Sequence, residues 1–144
     1  IVEGFQAKFV TNQIAAAQLL GADMAYMGSR FIATQESAAT EVNKQMVVAG
    51  HAKDIIYTPA ISGVPGNFLR PSLVKAGLDP DNLPVKESIS FSKEVEPPES
   101  GAKAWKSIWS AGQGIGSVHD IPTTAEFCAR LKREYEAAVG GLKR

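Results

Sequence analysis

The stretch "GADMAYMGSRF", residues 21–31, constrains the fold of this chain more than any other. Its four residues Met24 to Met27 form a continuous apolar run that ends in the turn Gly28-Ser29-Arg30. A short run without alternation suits a strand covered on both faces, as in a parallel sheet. Helix signals flank it. "TNQIAAAQLL" precedes it, with Thr11 in an N-cap position and Gly21 at C′. "TQES" follows, offering Thr34 as the N-cap of a second helix that carries Val42 and Met46 on its apolar face and closes at Gly50. Helix, buried strand, glycine turn, helix is the rhythm of a βα unit.

The rest of the composition narrows the function classes. The chain has 144 residues, one domain's worth, with 15 basic and 15 acidic side chains. A formal net charge of zero gives no basic face for nucleic acid. The single cysteine, Cys128, excludes an internal disulfide framework and fits a reducing compartment, so a cytoplasmic protein is expected. No apolar stretch approaches the ~18 residues of a membrane span. "IVEGFQAKFV" has neither the basic nor the apolar region of a signal peptide, and it does not begin with Met. The chain reads as a piece of something longer.

Beyond residue 50 the pattern loosens. "DIIYT" is β-prone and stops before Pro59, "ISGVPGNF" is turn chemistry, and "RPSLVKAGL" places Pro71 in a first helical turn and Gly77 at its end. Residues 85–101 are polar and aperiodic and read as an exposed connection. "AKAWKSIWSAG" puts Trp105, Ile108 and Trp109 on one helical face. The final helix has a capping box, Thr123 with Glu126, and an apolar stripe of Phe127, Cys128, Leu131, Tyr135, Ala138 and Val139.

Two glycine segments are candidates for chemistry. After a parallel strand, Gly28 would let a ligand approach the backbone, with Ser29 adding a hydroxyl and Arg30 a charge. The plain alternative is a turn that needs a glycine and nothing more. "AGQGIGSVHDIP" has Gly112, Gly114 and Gly116 at alternate positions, which is not the dinucleotide spacing; a backbone lying against a flat ligand and a simple loop are both open. His51 and His119 have no companions at ligand spacing, so no metal is expected, and Cys128 reads as packing.

"GADMAYMGSRFIATQES" resembles the segment around the last barrel strand of the FMN-dependent nitronate monooxygenases, formerly called 2-nitropropane dioxygenases. "WSAGQGIGSVHDIPTTAEFCARL" resembles their C-terminal loop and helix start, and "IIYTPAISGVPGNFLRPSLVKAGLDPDNLP" is similar to one subgroup. The likeness runs from about Ile14 onward, in the family's order. Sibling flavin-dependent enoyl reductases share parts of both motifs.

The resemblance implies an α/β fold: the C-terminal part of a (β/α)8 TIM-barrel flavoprotein, mostly helical here, with at least one parallel barrel strand. Such a barrel takes ~250 residues, so the remainder would be missing from this chain. Residues 1–50 would hold the last barrel βα region and 51–144 a helical segment with the Gly-rich loop, both parts of one incomplete domain. Tyr26, Met27, Gly28 and Ser29 would grip the phosphate of FMN, and Gln113 and Gly114 would belong to an active-site loop. The family's catalytic histidine matches neither His51 nor His119 and would lie outside the chain, leaving the chain alone inactive. The implied activity is oxidation of alkyl nitronates with O2, with no nucleic acid or membrane partner and with homo-oligomerisation open. The alternatives are an enoyl reductase of the same fold and a non-catalytic helical module.

Overall fold

A computed structural model describes residues 9–83 and 108–142, with side chains described for 14–83 and 108–141. It divides into two compact units. The first joins the residues up to Ala49 with those from Gly114 on, and the second spans Gly50–Gln113.

In the first unit, helix α1 covers Phe9–Leu19. Thr11 therefore lies inside the helix rather than at its cap. The end of α1 follows the sequence expectation. Gly21 adopts φ 92°, its N–H donates to Gln18 O at 2.9 Å, and Ala22 N–H donates to Ala17 O at 2.9 Å. This is the Schellman arrangement, which needs a left-handed residue at the position Gly21 fills. Helix α1 packs on the terminal helix α5, Thr124–Leu142, and the Tyr135 hydroxyl donates to Gln18 Oε1.

The expected strand at Met24–Met27 does not form a ladder. Met24 is 89% and Tyr26 99% exposed. A strand built for burial on both faces depends on neighbours to pair with and on layers to cover it. Among the described residues nothing pairs with this one. Helix α2, Ser29–Ile32, follows directly.

The second helix signal is displaced. Thr34 closes α2 by donating its hydroxyl to Phe31 O at 2.8 Å, and bends intervene. Helix α3 then runs Glu41–Ala49, and its start is met by Thr40, whose Oγ1 accepts from Asn43 N–H at 3.3 Å. Its buried residues are Asn43, Lys44 and Val47, while Val42 is exposed. The inward face differs from the apolar one because Lys44 turns inward, its ammonium donating to Gln35 O at 2.9 Å.

In the second unit, β1, Ile55–Thr58, pairs antiparallel with β2, Gly66–Leu69, with Ile56 opposite Phe68. The "GNFL" strand was hidden in a segment that reads as turns. Helix α4, Arg70–Lys75, has its proline in the first turn and ends at Gly77, φ 79°, as the sequence suggests. Phe68, Leu73, Ile61 and Ile108 form the core, with Ile56 and Leu78 packed against it. The helix expected across Ile108 and Trp109 is absent: residues 108–112 are extended or irregular, and Trp105 lies outside the described residues. Trp109 is instead tied to α4. Its N–H donates to Ser72 Oγ at 3.0 Å and its carbonyl accepts from Leu69 N–H at 2.8 Å.

Candidate functional site

Gly28 precedes α2 with φ −112° and ψ −64°, a conformation open to any residue. Its flank is open as well: a Cβ built there would meet no atom within 4 Å. Tyr26 and Gly28 are exposed, and Met27 and Ser29 are half-buried. The chain then turns inward. Arg30 is 8% exposed, unusual for a guanidinium unless it is paired.

Its partners come from the other end of the chain. Arg30 Nη2 donates to Asp120 Oδ1 at 2.5 Å, and Nη1 donates to the carbonyls of Asp120 and Ala33 at 3.3 Å each. The guanidinium also lies 4.4 Å from the centre of the Phe127 ring, which meets Phe31 edge-on at 5.0 Å. Asp120 is shared. Arg130 of α5 donates to Asp120 Oδ2 at 2.5 Å and to Oδ1 at 3.3 Å.

Neighbouring contacts carry the same attachment along the chain. Gln35 N–H donates to Pro122 O at 3.0 Å. Glu36 Oε2 accepts from Thr124 N–H at 2.8 Å and from the Thr124 hydroxyl at 3.0 Å. The capping box read from the sequence is present, with Thr123 N–H donating to Glu126 Oε2 at 2.9 Å and Glu126 N–H to Thr123 Oγ1 at 3.2 Å. Two carboxylates thus meet the positive end of α5, where the helix dipole favours them.

The electrostatics follow from this placement. Hydrogen bonding from Arg130, with the charge of Arg30 beside it, holds the Asp120 carboxyl below the usual carboxylate range. Burial lowers the pKa of Arg30, against the opposing pull of Asp120. Arg130, more exposed, is raised by its bond to Asp120. Arg30, Ser117, His119, Asp120, Arg130 and Glu134 line a cavity of about 210 Å³, closed on its apolar side by Phe127 and Leu131.

The structure therefore links the two glycine segments. The residue after the Gly28-Ser29 turn grips the aspartate that follows "AGQGIGSVH". Gly114 lies in the 3-10 segment Gln113–Ser117, where the Ser117 hydroxyl donates to Gly114 O at 2.8 Å. Gln113 belongs to the other unit. His119 is exposed, and His51 stands before a 3-10 turn with its N–H donating to Asp54 Oδ2 at 2.9 Å. Cys128 is exposed, not part of the packed stripe, because α5 turns Phe127 and Leu131 inward instead. Among the described residues no cluster of metal-ligating side chains occurs, and no helix is long and apolar enough to cross a membrane. In the sequence Arg30 reads as a charge for a ligand, and nothing marks Asp120 as its partner. A lone Arg and a lone Asp 90 residues apart carry no local signal of pairing.

Comparison with known proteins places this geometry in context. The family model described as nitronate monooxygenase matches residues 9–134. A nitronate monooxygenase of Paraburkholderia phytofirmans is 27% identical over 135 residues, covering 90% of this chain and 36% of that protein. The structure of FabK from Thermotoga maritima superposes with a TM-score of 0.61 at 23% identity, over 92% of this chain and 43% of FabK. The chain thus spans 36% and 43% of the lengths of these two proteins. The expected fold class holds: this is an α/β, C-terminal part of a TIM-barrel fold.

Proposed function

This chain belongs to the nitronate monooxygenase family, and from that premise we propose that it supplies the flavin-phosphate side of an FMN-dependent oxidoreductase acting on alkyl nitronates and O2. The observation that carries the reading is the link between the two family motifs. Arg30, directly after the turn, is bound to Asp120, directly after the Gly-rich loop. A joined pair of loops on one support is how a barrel assembles a phosphate site.

The turn fits a phosphate through its backbone and hydroxyl rather than through a cation. The open flank at Gly28 leaves room for an anion close to the main chain, and the half-buried Ser29 follows it in sequence with a hydroxyl to offer. The Arg30 guanidinium, by contrast, is engaged with Asp120 and with carbonyls. Tyr26 and Met27 would flank the same group from the exposed side. Gln113 and Gly114 would contribute to the loop that faces substrate. A bound flavin supplies the electron chemistry, and the protein supplies grip and orientation. Since no residue described here stands as the base, the chain alone is expected to give no nitronate turnover.

Two measurements test this. The natural-length protein, loaded with FMN and passed over gel filtration, should emerge yellow with a flavin spectrum; a colourless protein sinks the reading in favour of a non-catalytic module. Oxygen uptake with propyl nitronate then distinguishes the oxidase from the sibling enoyl reductase, which would act only with NADH and an enoyl thioester.

A further inference from the structure

We infer that Arg30 is a positioning residue that sets the shape of the Tyr26–Ser29 turn through Asp120, and so gives the site its preference for phosphorylated flavin. This deepens the flavin reading above and rests on it.

Helix α2 is only four residues long, too short to hold its own conformation in water. The segment before it has no ladder to fix it. What fixes the turn must therefore come from its side chains, and Arg30 is the buried one. Its donors reach three acceptors on two segments, Asp120 Oδ1, Asp120 O and Ala33 O, while Phe127 covers its face. A guanidinium with a planar fork can span such a set; an ammonium cannot. The anchor at the far end is itself fixed. Asp120 is held a second time by Arg130, which stands on the 19-residue helix α5 with its capped N-terminus. The chain of support runs from α5 through Arg130 and Asp120 to Arg30 and the turn. Because the Arg30 donors point to protein acceptors, its effect on an anion is exerted through preorganised geometry rather than contact.

FMN and riboflavin differ only in the 5′-phosphate, so their affinities separate an effect on the turn from an effect on the whole fold. In the natural-length protein, Arg30→Met should weaken FMN binding ~10-fold while riboflavin binding changes less than ~2-fold. Arg30→Lys should recover part of the loss. Arg130→Met leaves the Arg30–Asp120 pair in place but loosens its far end; it should lower Tm and reduce the ratio of the two affinities by less than Arg30→Met does. An unchanged ratio in folded Arg30→Met overturns the inference, as does an equal fall of the ratio in Arg130→Met. Where Arg30→Met does not fold, the ratio in Arg30→Lys decides in the same way. A wild-type protein that binds flavin without preferring FMN overturns the phosphate reading itself, a result distinct from either of these.

Discussion

Arg30 Nη2 lies 2.5 Å from Asp120 Oδ1, bridging 90 residues of sequence, and the arginine is buried while the aspartate is partly open to water. Removing the carboxylate leaves a buried cation with one ionic partner fewer. Asp120→Ala should destabilise the protein by about 2 kcal/mol, less than the 3–5 of a fully buried pair, because water screens the exposed side. Urea unfolding would show it as a lower midpoint at unchanged slope.

The same pair predicts an acid dependence. The Asp120 carboxyl is held down chiefly by hydrogen bonding from Arg130. A carboxyl with a folded pKa below its unfolded value stabilises the protein fully above about pH 5, and loses that contribution as pH falls through the folded value. Asp120→Asn should therefore unfold more easily than wild type at neutral pH, and the gap should narrow below ~pH 4. A gap constant from pH 7 to pH 3 would contradict this.

The turn offers a sharper test than its glycine suggests. Gly28 has a negative φ and an open flank, so valine is accommodated without strain. Gly28→Val should stay folded by circular dichroism and lose FMN, because the new side chain fills the space assigned to phosphate. Ser29→Ala should weaken FMN roughly ten- to a hundredfold, from the about 1.5–3 kcal/mol of a hydrogen bond to a charged group. If both variants bind FMN like wild type, the turn is only a turn.

Helix α5 depends on its first turn. Thr123 accepts from Glu126 N–H, and replacing an N-cap threonine by alanine costs about 1 kcal/mol. Thr123→Ala should lower Tm, whereas Thr123→Ser should leave it near wild type.

Local physics was readable where the cause is local. The Schellman end at Gly21, the Thr123–Glu126 box, and the proline start and glycine end of α4 all follow from residues within a few positions of one another. Contacts made at long range were not. The face of α3 depends on where Lys44 finds an acceptor, and "GNFL" becomes a strand only because "IIYT" lies alongside. Met24–Met27 shows the reverse failure: its sequence specifies burial, and the partners that would provide it are not among the described residues. At the site, the resemblance pointed to the turn, and only the folded chain showed that Arg30 faces Asp120 instead of solvent.

The division of the chain also sets an order of events during synthesis. The second unit is drawn from one continuous stretch, so its hairpin, α4 and Trp109 are all present once that stretch has emerged. The first unit is drawn from both sides of it. Helix α1 must wait for α5, and Arg30 for Asp120; at ribosomal speeds of ~10 residues per second that delay is on the order of ten seconds. The residues up to Ala49 are thus completed only after the stretch that follows them has been made, and through that interval Arg30 lacks the Asp120 that will receive it.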